Sequence, residues 1–124
     1  MPTGNVENWA DLLKVLAHPT RLAILSRLLQ GLTCVNDIAE LLGRAQPNVS
    51  QHLMALRAAG LVECRQSGLF RCYYLTRPAM VKDLLHVLAR PYPRARPDAD
   101  DVARAVRSKH AKPRTRTARP AARP

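Results

Sequence analysis

The chain has 124 residues, enough for one compact domain, with 20 Lys and Arg against 9 Asp and Glu and a formal net charge of +11. A surplus of that size points to a polyanionic partner, nucleic acid before an acidic membrane surface. No stretch is apolar for long enough to span a bilayer, no charged-then-apolar leader opens the chain, and three cysteines are an odd number; the expectation is a cytoplasmic protein with no membrane partner, reduced thiols and no disulfide framework.

The charge divides the chain in two. Up to Pro93 ten Lys and Arg face six acids, whereas from Arg94 onward ten face three. Residues 1–93 carry the helical and strand patterning of a folded domain. Residues 94–124 are Arg, Pro and Ala with few large apolar side chains, and composition alone predicts a disordered basic tail, because so little apolar surface cannot offset the entropy of ordering. Such a tail acts as a solubiliser or as a nonspecific phosphate-binding arm.

In chain order, Val6, Trp9, Leu13 and Leu16 recur at helical spacing and predict an amphipathic first helix. "HPTRLAILSRLLQG" places Pro19 in a first turn, sets Leu22, Leu25 and Leu29 on one face and ends at Gly31. Thr33 is an N-cap candidate for a third helix with Ile38, Leu41 and Leu42, closed by Gly43. A fourth helix runs from about Gln46 to Ala59, with Pro47 in its first turn and Val49, Leu53 and Leu56 as its buried stripe. "LVECRQSGLFRCYYL" is two β-prone runs around Ser67-Gly68 and reads as a hairpin. After Pro78 the helical period returns with Val81, Leu84, Leu85 and Leu88, until Pro91 and Pro93 end it. The order is four helices, a β-hairpin and one further helix, a mainly α fold with a small β element.

The third and fourth helices are short and joined around Gly43, the spacing of a helix-turn-helix. With Val49, Leu53 and Leu56 turned inward, Asn48, Ser50 and Gln51 are left outward or flanking, with Gln46 at the tip. Asn and Gln side chains suit base edges in a major groove. Arg65 and Arg71 flank the hairpin tip, as a phosphate-touching wing requires. Each residue alone fits an ordinary solvated face; the set in this order predicts DNA binding. His18 and His52 read as structural.

The segments "LAHPTRLAILSRLL", "VNDIAELLG" and "QPNVSQHLMALRAAGLV", with Tyr73 and Tyr74 closing the wing, resemble the ArsR/SmtB family of winged helix-turn-helix repressors over about Trp9 to Leu88. The resemblance implies a repressor, not an enzyme, that binds double-stranded operator DNA as a homodimer, with residues 1–93 as the DNA-binding and dimerisation domain. It implies a dimer contact made by the first and last helices, where Trp9, Leu12, Leu13 and Leu16, and Leu84, Leu85 and Leu88, offer more apolar surface than short helices need. Members often have Ser capping the recognition helix, where this chain has Ala45.

The resemblance also implies release from DNA by a metal, metalloid or reactive sulfur species. The branch sensing arsenic, cadmium and lead carries Cys-Val-Cys-Asp at the start of the third helix. Here Cys34, Val35 and Asp37 match, and Asn36 replaces the second cysteine. Following a Thr33 cap, Cys34 would stand where helix N–H groups stabilise a thiolate, which suits a soft ion or an oxidant; the plain alternative is a small packing residue. A turn at Ser67-Gly68 would put Cys64 opposite Arg71 and Cys72 opposite Glu63, on different faces, whereas a three-residue turn would set Cys64 opposite Cys72. Candidate metal ligands are therefore Cys34, Cys64 and Cys72, with arsenite, cadmium or zinc as regulatory ions and no obligatory cofactor. Asp83 and His86 reproduce only part of the zinc and nickel branch's pattern, and the cysteines of the reactive-sulfur branch are absent from the second and last helices. Two alternatives stand beside soft-ion release: a repressor responding to thiol oxidation or to no direct inducer, and a nonspecific DNA-coating or interaction module driven by the basic tail.

Overall fold

The computed structural model describes residues 5–110. Helix α1 (Val6–Leu16) starts at Asn5, whose Oδ1 accepts from the backbone N–H of Asn8 at 2.8 Å. Helix α2 (Pro19–Leu28) has Pro in its first turn and is capped by His18, whose Nδ1 accepts from Thr20 N–H at 3.1 Å. Strand β1 (Thr33–Cys34) runs directly into α3 (Val35–Leu42), and Gly43 closes that helix at φ 64°, a left-handed conformation that suits glycine. Helix α4 (Gln46–Ala58), strands β2 (Val62–Ser67) and β3 (Phe70–Leu75), and helix α5 (Pro78–Ala89) follow.

The core is the junction of these elements. Ile24 and Leu25 of α2, Ile38 of α3, Val49, Leu53 and Leu56 of α4, Leu61 and Val62 at the foot of the wing and Val81 of α5 are all fully buried. The apolar stripe read from α4 is therefore the one that packs. The ion pair Arg57 Nε–Glu63 Oε1 at 2.7 Å joins the end of α4 to the start of β2. Helix-turn-helix and wing are thus set on one core.

Five expectations change. The hairpin is part of a three-stranded antiparallel sheet in the order β1-β3-β2, because the two residues ahead of α3 pair with β3. Cys34 is consequently the N-cap of α3 rather than its first helical residue, and Thr33 lies in β1, its hydroxyl donating to the carbonyl of Gly31 at 2.9 Å. The wing turn is Gly68-Leu69, with Ser67 opposite Phe70; Gly68 at φ 60° supplies the positive φ that this tight turn needs at its first central position. Leu16, expected at a dimer contact, is only 5% exposed and belongs to the core of its own protomer.

The fifth change concerns the basic tail. The described residues divide into two compact units, one up to Arg90 and one from Pro91 onward. Within the second, Ala99–His110 is a helix, α6, and not disordered. Asp98 and Asp101 cap it reciprocally: Asp98 Oδ1 accepts from Asp101 N–H at 2.8 Å and Asp101 Oδ2 from Asp98 N–H at 3.1 Å. Acids open the helix and Arg107, Lys109 and His110 end it, matching its dipole. Composition hides this order because it comes from residue positions, not from apolar content. The remainder of the predicted tail, residues 111–124, lies outside the described residues.

Candidate nucleic-acid interface and thiol pair

Helix α4 exposes Gln46, Pro47 and Gln51 beside its buried stripe. Met54, one turn beyond Gln51, is 67% exposed on the same face. Arg44, just before the helix, is exposed as well. The sequence reading missed Met54 and Arg44; the three-residue step from Gln51 is the signal that finds Met54. Ser50 is half-buried. Asn48 is flanking and not outward: it is half-buried, and its Oδ1 is buried without a hydrogen-bond partner. At the helix start Ala45 makes no side-chain cap, and its carbonyl accepts from Asn48 and Val49 N–H. The result is a polar, uncapped helix N-terminus that presents two glutamines.

His52 lies behind this face. Its Nδ1 accepts from Arg21 Nε at 3.2 Å, and its ring meets that of His18 with centroids 4.3 Å apart. Arg21 also donates to the carbonyl of Val15 at 3.0 Å, so one guanidinium links the end of α1 to α4. Burial, and then the neighbouring His18, Arg21 and Arg44, hold the His52 pKa below its usual 6.5. Both histidines are structural, as expected.

The wing carries Arg65 and Arg71, both exposed. Arg65 is paired with Cys72 and Arg71 with Gln66, adjacent rungs of the ladder, so the two arginines leave opposite faces of the ribbon.

The same register separates the thiols. Cys64 lies opposite Tyr73, on the face that turns Tyr73 into the core. Cys72 points the other way and is the rung partner of Cys34 on β1. Their sulfurs are joined in a disulfide, with Cα atoms 3.8 Å apart, and Cys64 is free. Of the two arrangements that the sequence leaves open, the one that sets Cys64 and Cys72 on different faces holds, whereas two cysteines expected as reduced thiols are paired. The cause is β1, which brings residues 38 apart in the chain onto one rung. The pair links the entry of α3 to the central strand of the wing. Among the described residues no three His, Cys, Asp or Glu side chains gather into a metal-sized cluster. Asp83 and His86 are exposed on α5.

Trp9 and Leu13, with Val6, form an exposed apolar stripe on α1, and Leu12 is half-buried beside it. On α5, Leu88 and Val87 are exposed while Leu84 and Leu85 are half-buried. Among the described residues no helix is long and apolar enough to cross a membrane.

Comparison with known proteins bears on this arrangement directly. Residues 18–63 match the pattern of the bacterial regulatory protein arsR family. A helix-turn-helix-type transcriptional regulator of Methanocaldococcus jannaschii is 40% identical over 70 residues, covering 56% of this chain and 79% of the relative. The arsenical resistance operon repressor of Escherichia coli is 41% identical over 67 residues, covering 53% of this chain and 57% of that one. The solution structure of a homodimeric winged helix-turn-helix DNA-binding domain from Mycobacterium bovis superposes with a TM-score of 0.61 at 31% identity, over 72% of this chain and 90% of that domain. These relatives are regulators rather than enzymes, and their likeness runs through the helix-turn-helix and the wing. The chain belongs to the ArsR family of winged helix-turn-helix transcriptional repressors.

Proposed function

We propose that this repressor works in the cytoplasm as a homodimer on an inverted-repeat operator, and that the Cys34–Cys72 pair sets its hold on DNA. The reading face of α4, Gln46 and Gln51 with Met54 beside them, suits base edges in the major groove, while Arg65 and Arg71 suit phosphates. The exposed stripes Val6, Trp9 and Leu13 on α1 and Val87 and Leu88 on α5 support a dimer, as does the homodimeric Mycobacterium bovis domain.

The observation that carries the regulatory part is the shared rung of Cys34 and Cys72. In the reduced protein it is a dithiol at the junction of α3 and the wing. Soft ions prefer thiolates, and two converging ones suit arsenite or cadmium better than one. Arsenite would lose two hydroxyl groups as water as two As–S bonds form, and keep the third. The kinship with an arsenical resistance operon repressor supports this inducer class. Zinc is less suited, since among the described residues no nitrogen or carboxylate ligand joins the two sulfurs.

A second reading is favoured by the disulfide itself. Hydrogen peroxide would take two electrons and two protons from the dithiol, forming the S–S bond and two waters. In either reading the change is local to the junction between α3 and the wing, and Cys64 stands aside.

The test is fluorescence anisotropy on DNA from upstream of its own gene, with reduced protein titrated separately with arsenite, cadmium, zinc and peroxide. Release in the wild type and in Cys64→Ser, with none in Cys34→Ser or Cys72→Ser, is the expected result. Equal release in all four proteins removes the pair from the mechanism. Gln51→Ala is expected to change sequence preference; an unchanged preference shows that α4 does not read with that side chain.

A further inference from the structure

The wing tip has a feature that neither turn geometry nor phosphate binding explains. Leu69 is 96% exposed and Phe70 62% exposed, side by side at the end of the hairpin. The turn needs only Gly68, whose positive φ fits the first central position; the second central position suits small polar residues as well as leucine. Neither side chain belongs to the core. Two large apolar groups are therefore held in water where the fold does not require them.

The surroundings name the partner. Between Cys64 and Cys72 the wing holds Arg65 and Arg71 and no acid, and the wing's Glu63 lies at its base in the pair with Arg57. The arginines leave opposite faces of the ribbon. Six-residue strands at about 3.3 Å per residue carry the tip roughly 17 Å beyond the base that Arg57 anchors to α4. A minor groove about 6 Å wide is too narrow for a two-stranded ribbon but admits a side chain at its tip.

We propose that the tip is an apolar wedge for duplex DNA. Leu69 and Phe70 enter the minor groove and open a base step, while Arg65 and Arg71 meet the phosphate walls on either side. The apolar side chains leave water and the step unstacks, so the wing favours sequences whose steps open easily. This rests on the operator-binding reading above and adds a contact that reads deformability instead of base edges.

The experiment uses duplexes from upstream of its own gene carrying 2-aminopurine at successive positions, with the full chain, Leu69→Ser/Phe70→Ser and Arg65→Gln/Arg71→Gln. The wild type is expected to raise 2-aminopurine fluorescence at one step in each half-site. Leu69→Ser/Phe70→Ser should abolish that rise and weaken binding about tenfold at an unchanged salt slope, the scale of one mismatched base pair. The arginine variant should lower the slope of log affinity against log salt by about two, one for each phosphate no longer neutralised. If the wild type binds this DNA no better than random duplex, the operator reading fails. If it binds selectively with no fluorescence rise, and the tip variant binds equally well, the wedge alone is overturned. The wedge is also overturned if the tip variant instead changes the sedimentation of the free protein, or removes wild-type binding to anionic vesicles. Those outcomes make the tip a contact between copies or a membrane contact.

Discussion

Helices α4 and α6 are nearly equal in length, 13 and 12 residues, and are held by opposite means. Helix α4 has no side-chain cap, no acid in its first turn and Pro47 at its start, yet Val49, Leu53 and Leu56 are fully buried. Helix α6 buries nothing, yet has reciprocal Asp caps, acids at its start, bases at its end and an Arg104–Asp101 ion pair. One helix is made by the tertiary core and the other by its own sequence. Burial leaves the ends of α4 free for function: its uncapped N-terminus, with Gln46 and Gln51, is where a DNA backbone and base edges can be met.

The contrast can be broken from either side. Leu53→Ala should have the largest effect, costing about 2–5 kcal/mol of global stability, read as a fall in the urea midpoint; Leu53 is fully buried between helices, and the cavity cannot be refilled by solvent. A small loss would mean that α4 is locally stable after all. Asp98→Ala/Asp101→Ala removes both caps of α6, each worth about 0.5–2 kcal/mol. A helix of 12 residues without burial is marginal, so amide protection across 99–110 should vanish; retained protection would show that burial in an assembly holds it.

Ala45→Ser gives α4 the cap it lacks and should raise stability by about 1 kcal/mol in thermal unfolding. No gain would mean that the free N–H groups are already satisfied. The smallest effect is that of pH. His52 is held below 6.5 by burial and then by neighbouring positive groups, so the fold disfavours its protonation. Below 6.5 the unfolded chain binds the extra proton and the folded chain resists it. This contribution is therefore fully present above 6.5 and declines as pH falls toward the lower folded value. Urea midpoints should drop between pH 7.5 and 5.5, with a shallower drop in His52→Gln.

The sequence alone determined much of this protein. Helical spacing marked α1, α2, α3, α4 and α5 to within a residue or two at most ends, Gly43 marked the turn between α3 and α4, and "QPNVSQHLMALRAAGLV" carried the family. These are local signals: periodicity, caps and a left-handed glycine act within a few residues, so they are written contiguously. Helix α6 is equally local, but its signal lies in the capping pattern of Asp98 and Asp101 and in charge placement, whereas its few apolar residues read as disorder. Only the tertiary structure decided the rest. A two-residue strand has too little pattern to be seen, yet β1 brings Cys34 onto the rung of Cys72. The register of β2 against β3 turns Cys64 away from both. Core packing takes up Leu16, which the resemblance had placed at a dimer contact, and half of Asn48. Each of these depends on which distant residues become neighbours, a choice made by burying the common core of Ile24, Leu53 and Val81, and no short stretch of chain encodes it.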